Sequence, residues 1–138
     1  MKNTKRKVLI FLIIILIMSV TKVYNKFYRI DVTDYRYNFQ GQMIDSPDDK
    51  YQIRISILKL DENSKDAYIM GELVKKKYIE PNNLLISDKN TKIIYWDKVN
   101  SNDIDDNILD IEWLDDSNIK IKDKVLNINY DKYDYRRE

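Results

Sequence analysis

The chain has no cysteine and no histidine in its 138 residues. Those two absences exclude disulfide frameworks, Cys/His zinc sites, thiol nucleophiles and every catalytic triad that turns on an imidazole. Glycine and proline occur only twice each, which removes collagen-like and Pro/Gly-rich disordered classes and leaves no glycine-rich phosphate loop. No metal or other cofactor is expected from this inventory. What is present is a 43% hydrophobic content, enough for a folded core in a length that suits one domain.

Acidic residues are missing from the first 29 positions, which carry seven of the 24 basic side chains. The other 17 basic residues face 23 acidic ones, so the rest of the chain is about six charges negative. Nucleic acid is therefore not an expected partner, because neutralising phosphates takes clustered Lys and Arg.

Residues 8–21 form an uncharged run of fourteen, polar only at Ser19 and Thr21. Fourteen helical residues reach about 21 Å, short of the ~30 Å hydrocarbon core. Snorkelling by Lys7 and Lys22, with Val23, Tyr24, Phe27 and Tyr28 as an interfacial flank, extends the run to a span. A cleaved signal peptide is the alternative, but Ser19-Val20-Thr21 before Lys22 is a poor cleavage site. A buried core helix is the third reading, and the run lacks the polar face that would suit it. The sequence predicts an uncleaved signal anchor with the bilayer as its partner. Lys2, Lys5, Arg6 and Lys7 lie closer to the span than Lys22, Lys26, Arg29 and Arg36, so the N-terminus is expected in the cytoplasm and the body outside the cell membrane. The expected division is a basic tail over 1–7, a transmembrane anchor over 8–28, a stalk over 29–42 and an exported domain over 43–138.

Period-two patterns dominate that domain. Tyr51, Ile53, Ile55 and Ile57 alternate with polar residues as in a half-buried strand. Ala67, Ile69, Gly71 and Leu73 do likewise, with Tyr68, Met70 and Val74 making the second face partly apolar. Leu84-Leu85-Ile86 and Lys92-Ile93-Ile94-Tyr95-Trp96 flank a polar turn and predict a hairpin. Leu109, Ile111 and Trp113 precede a turn at 115–118, then Ile119 and Ile121, another turn at 122–124, and Val125, Leu126 and Ile128. A small antiparallel β-sheet domain is expected, mainly β in class, with a weak helical candidate at 71–78.

Ser46-Pro47-Asp48-Asp49-Lys50-Tyr51, Ile94-Tyr95-Trp96, Trp113-Leu114-Asp115-Asp116 before Ile119-Lys120-Ile121, and Tyr133-Asp134-Tyr135-Arg136 follow one another in a characteristic order. In this the chain resembles the family catalogued as domain of unknown function 5412, over roughly residues 43–136. The resemblance implies a small protein of the Gram-positive type, often with an N-terminal membrane segment, and supplies no catalytic residues. The family pattern has glycine where this chain has Asp49, Asn-Gly at Lys122-Asp123, and Gly-Gly-Ala-Thr at Lys65-Asp66-Ala67-Tyr68. Asp tolerates left-handed backbone better than most residues, so Asp49 and Asp123 are expected to keep their turns.

Two charged stretches are candidate contact surfaces. Residues 103–116 hold seven acids without one Lys or Arg, among them Asp103, Asp105 and Asp106. Asp103, Asp105 and Asn107 match positions one, three and five of a calcium loop, but Ile108 and Leu114 stand where glycine and glutamate are required, so a solvated loop and strand face is the expectation. Lys75, Lys76 and Lys77 are the second stretch, suited to an anionic lipid or wall polymer, or simply to a strand end. Tyr95, Trp96 and Trp113 are expected in the sheet core, and Tyr130, Tyr133 and Tyr135 are expected to pack the C-terminus down. The expected function is a non-catalytic binding or interaction module facing a membrane or cell-wall partner. The alternative is an envelope glycan-active enzyme working through a carboxylate pair.

Overall fold

The computed structural model describes residues 2–78, 91–104 and 110–138. Its contacts divide the chain into two main units, Met1–Val32 and Thr33–Arg136. The first is helix α1 (Lys2–Phe27). Within it Arg6–Phe27, 22 residues, is long and apolar enough to cross a membrane and has no buried residue. At ~1.5 Å per residue this stretch reaches about 33 Å, because the helix continues past Lys22 through Val23 and Tyr24. The two polar residues of the apolar run are satisfied inside the helix: Ser19 Oγ donates to the Ile15 carbonyl at 2.9 Å and Thr21 Oγ1 to the Ile17 carbonyl at 2.8 Å. Neither hydroxyl needs water.

Among the described residues the second unit holds eight strands: β1 (Tyr37–Asp45), β2 (Tyr51–Lys59), β3 (Asp66–Lys75), β4 (Thr91–Asn100), β5 (Ile111–Trp113), β6 (Asn118–Ile121), β7 (Lys124–Asn127) and β8 (Tyr133–Asp134). They form a five-stranded sheet in the order β1-β2-β3-β4-β8 and a three-stranded sheet β5-β6-β7. Among the described residues every pairing is antiparallel except the short β4–β8 pair. The class is mainly β, as the period-two patterns imply.

Alternation decides what each face buries. Ile53, Ile55, Ile69, Leu73 and Tyr95 of the larger sheet meet Ile119, Ile121, Leu126 and Ile128 in one core. Gly71 lies where space is short: a Cβ there would sit 2.9 Å from Tyr95 Cβ on the paired strand β4 and 3.5 Å from Ile121 Cδ1 on the other sheet. Leu58, Met70, Val74 and Trp96 are buried as well, so the larger sheet is apolar on both faces. Tyr35 and Tyr68 pack around Trp96, with Tyr68 stacked on it at 5.4 Å and Tyr35 edge-on at 5.7 Å. Trp113 is half-buried against the first core and donates from Nε1 to the Ile44 carbonyl at 3.3 Å, tying β5 to β1.

Several expectations change. Strand β1 begins at Tyr37, inside the segment read as stalk, and pairs with β2 through a bulge between Gln40 and Met43. The helical candidate at 71–78 is instead the end of β3 and a single 3-10 turn, Lys76–Tyr78; pairing of Lys75 with Tyr51 carries the ladder to the strand's last residue. Strand β4 pairs with β3, and the proposed first arm at 84–86 lies outside the described residues. The left-handed residue of the β6–β7 turn is Lys122, φ 56°, whereas Asp49 has the expected positive value, φ 57°. Tyr133 and Tyr135 pack as expected, but Tyr130 is 83% exposed, because it sits in a backbone turn on the Asn127 carbonyl.

Candidate functional site

The turn between β1 and β2 is built by its own side chains. Ser46 N donates to the Tyr51 carbonyl at 2.8 Å, Asp49 N to the Ser46 carbonyl at 2.9 Å, and Tyr51 N to Ser46 Oγ at 2.9 Å. Ser46 Oγ in turn donates to Asp48 Oδ1 at 2.7 Å, which also accepts from Lys50 N at 3.2 Å. Pro47 fixes the backbone dihedral after Ser46, and Asp49 takes the left-handed position that glycine fills most easily. The Lys50 ammonium, 2.8 Å from Asp48 Oδ2, and the Ser46 hydroxyl pull the Asp48 carboxyl down to about 2.

The β2–β3 register then brings a distant stretch alongside. Lys76 N donates to the Lys50 carbonyl at 2.9 Å, one step beyond the Tyr51–Lys75 pair. Asp49, Lys50, Tyr51, Lys75, Lys76 and Lys77 line an open pocket of about 370 Å³. Lys76 is held between two carboxylates, at 2.9 Å from Asp45 Oδ2 and in contact with Asp49 Oδ1. Asp49 and Asp45 raise its pKa in that order, and Lys76 with Gln52 lowers that of Asp45. Four lysines and Asp49 therefore line one cavity, with Asp48 paired to Lys50 and Asp45 to Lys76, so lysines outnumber carboxylates by one and the half-buried Tyr51 lies among them. Such a site attracts anions.

Sequence reading singled out Lys75, Lys76 and Lys77 but not Lys50, Asp49 or Tyr51. The missing signal was the hairpin: two consecutive strands of nine and ten residues put positions 50 and 51 beside 75 and 76.

The acidic stretch is not brought together in the same way. Asp103 is exposed at the end of a 3-10 turn, Ser101–Asp103; Asp105 and Asp106 lie outside the described residues. Asp110 pairs with Lys120 at 3.2 Å. Asp115 closes the β5–β6 turn, accepting from Ser117 N at 2.7 Å and Asn118 N at 2.8 Å, while its other oxygen accepts from the Asn118 side chain at 2.7 Å. Among the described residues no group of three acids is placed to hold a metal ion.

The pocket's turn is the first of the ordered motifs that carry the family resemblance. A family model described as "Family of unknown function (DUF5412)" matches residues 2–138. The chain belongs to this family. No curated protein and no solved structure matches it. The family match takes in α1 as well as every strand of the β unit, so this family member is described by its helix and its domain together.

Proposed function

We propose that this protein is a single-pass, membrane-anchored binding module, with its basic N-terminus in the cytoplasm and its β unit presented outside the cell membrane to a partner in the envelope. Helix α1 is the uncleaved signal anchor. The observation that carries the binding reading is the lysine-lined pocket, in which residues far apart in sequence converge on an accessible concave surface. Tethering raises the effective concentration of such a site for neighbours in the same compartment, so a weak contact suffices.

The glycan-active alternative has less to draw on. Glu72 and Asp134 are the buried acids among the described residues. They stand on β3 and β8, with β4 between. Arg136 grips both oxygens of Asp134, Nε at 2.9 Å and Nη2 at 2.7 Å, which suits a structural ion pair better than a general acid.

Photo-crosslinking in intact cells tests the proposal. Lys75→Glu with Lys77→Glu should remove a crosslinked partner that Asp103→Lys leaves in place, with the fold preserved. Crosslinks unchanged in both variants, together with glycan hydrolysis that disappears in Glu72→Gln, would transfer the protein to the enzyme reading.

A further inference from the structure

The lysine pocket constrains its ligand by charge, size and exchange of partners. All its cationic groups are lysines, compact point-charge donors that meet the oxygens of a phosphate without requiring a bidentate geometry. A cavity of about 370 Å³ falls at the low end of small-molecule sites, ~300–1,000 Å³. That is room for a phosphate and one small polar unit. Tyr51, which packs against the core, lines the pocket beside Lys75. Asp49 is the exchangeable element: its side chain is 76% exposed, while Lys76 stays anchored by Asp45 when Asp49 swings away. An incoming dianion can take the Asp49 position on Lys76 without disturbing the backbone bonds of the turn.

We infer that the pocket binds a small phosphate ester, held by Lys50, Lys75, Lys76 and Lys77, with Asp49 as the internal competitor that the ligand displaces. This rests on the binding-module reading and gives it a ligand class. The same chemistry occurs in a phosphate-linked envelope polymer and in a glycerol-phosphate lipid headgroup. The pocket stands at the Tyr51 end of β2, whereas the chain enters the sheet at the other end, where Arg36 N bonds the Lys59 carbonyl. Eight strand steps separate the two ends, about 26 Å.

The test uses the full chain in phosphatidylcholine nanodiscs, with glycerol 3-phosphate and inorganic phosphate as probes in equilibrium dialysis. Saturable binding of glycerol 3-phosphate is expected. The Lys75→Glu, Lys77→Glu double variant should weaken it by more than about tenfold. Asp49→Asn should tighten it about threefold, since Asn keeps the left-handed backbone and removes the competing charge. Nanodiscs containing phosphatidylglycerol separate the sources: competition against the soluble probe assigns the site to a headgroup, and undiminished binding assigns it to a soluble or polymer-borne ester. No saturable binding in either the wild type or Asp49→Asn, or equal binding in the double-lysine variant, overturns the inference. If partner crosslinks still depend on Lys75 and Lys77 in that case, the ligand class falls and the binding module stands.

Discussion

Lys76, one residue past the end of β3, reaches across β2 to Asp45, the last residue of β1, with 2.9 Å between Nζ and Oδ2. One ammonium thereby ties three strand ends together at the rim of the pocket. The pair is open to water, and such pairs add little to stability. Lys76→Met should accordingly leave the midpoint of a denaturant titration almost unchanged, while abolishing glycerol 3-phosphate binding. A large fall in the midpoint would make Lys76 a structural keystone.

Gly71 is a different case, because its constraint is steric. A methyl group there would meet Tyr95 Cβ at 2.9 Å, backbone-proximal atoms that have little room to move. Gly71→Ala should cost about 1–3 kcal/mol, the usual range for overpacking a well-filled core. The midpoint of urea unfolding measures it, and an unchanged midpoint would contradict the close approach of Gly71 to Tyr95.

Asp49 carries the left-handed turn of the pocket, φ 57°. Asparagine suits that backbone and alanine does not, at about 1–2 kcal/mol for a residue with a Cβ and no local hydrogen bonds. Asp49→Ala should therefore be less stable than Asp49→Asn by about 1 kcal/mol, both having lost the charge. Thermal unfolding of the pair compares them directly; equal stability would remove the backbone argument.

Much of this was legible in the sequence. The fourteen-residue apolar run announces α1, and the alternation of Ile53, Ile55 and Ile57 and of Ile69, Gly71 and Leu73 announces β2 and β3. Strand β1 was not, since Gly41 and the bulge between Gln40 and Met43 interrupt its period. Strand β8 has two residues and pairs parallel to β4, too little for any local pattern. Turn chemistry alone pointed to Asp123 for the left-handed position, which Lys122 takes instead, paired with Asp97 at 3.0 Å from where it stands. As for the pocket, its lysines were visible as two unrelated stretches, and only the β2–β3 register joins them.

Asp48 sets an acid limit on the same turn. Its folded pKa, about 2, lies below the ordinary value of 3.8. The unfolded chain therefore binds the proton more readily, and stability rises with pH through this window. Its contribution is complete above about 3.8 and is lost as pH falls towards about 2. Asp48→Asn should flatten the pH dependence of the unfolding midpoint in that window. An unaltered slope would show that the Lys50 and Ser46 contacts do not persist in solution.

The absence of cysteine makes the membrane placement directly measurable, since any introduced thiol is unique. Tyr130→Cys puts that thiol on an exposed turn of the β unit, and Asn3→Cys puts it at the basic end of α1. Intact cells expressing each variant are treated with a membrane-impermeant maleimide before and after permeabilisation. The account predicts that Tyr130→Cys is labelled in intact cells and that Asn3→Cys is labelled only once the membrane is opened; the reverse pattern, or labelling of both variants only after permeabilisation, would contradict it.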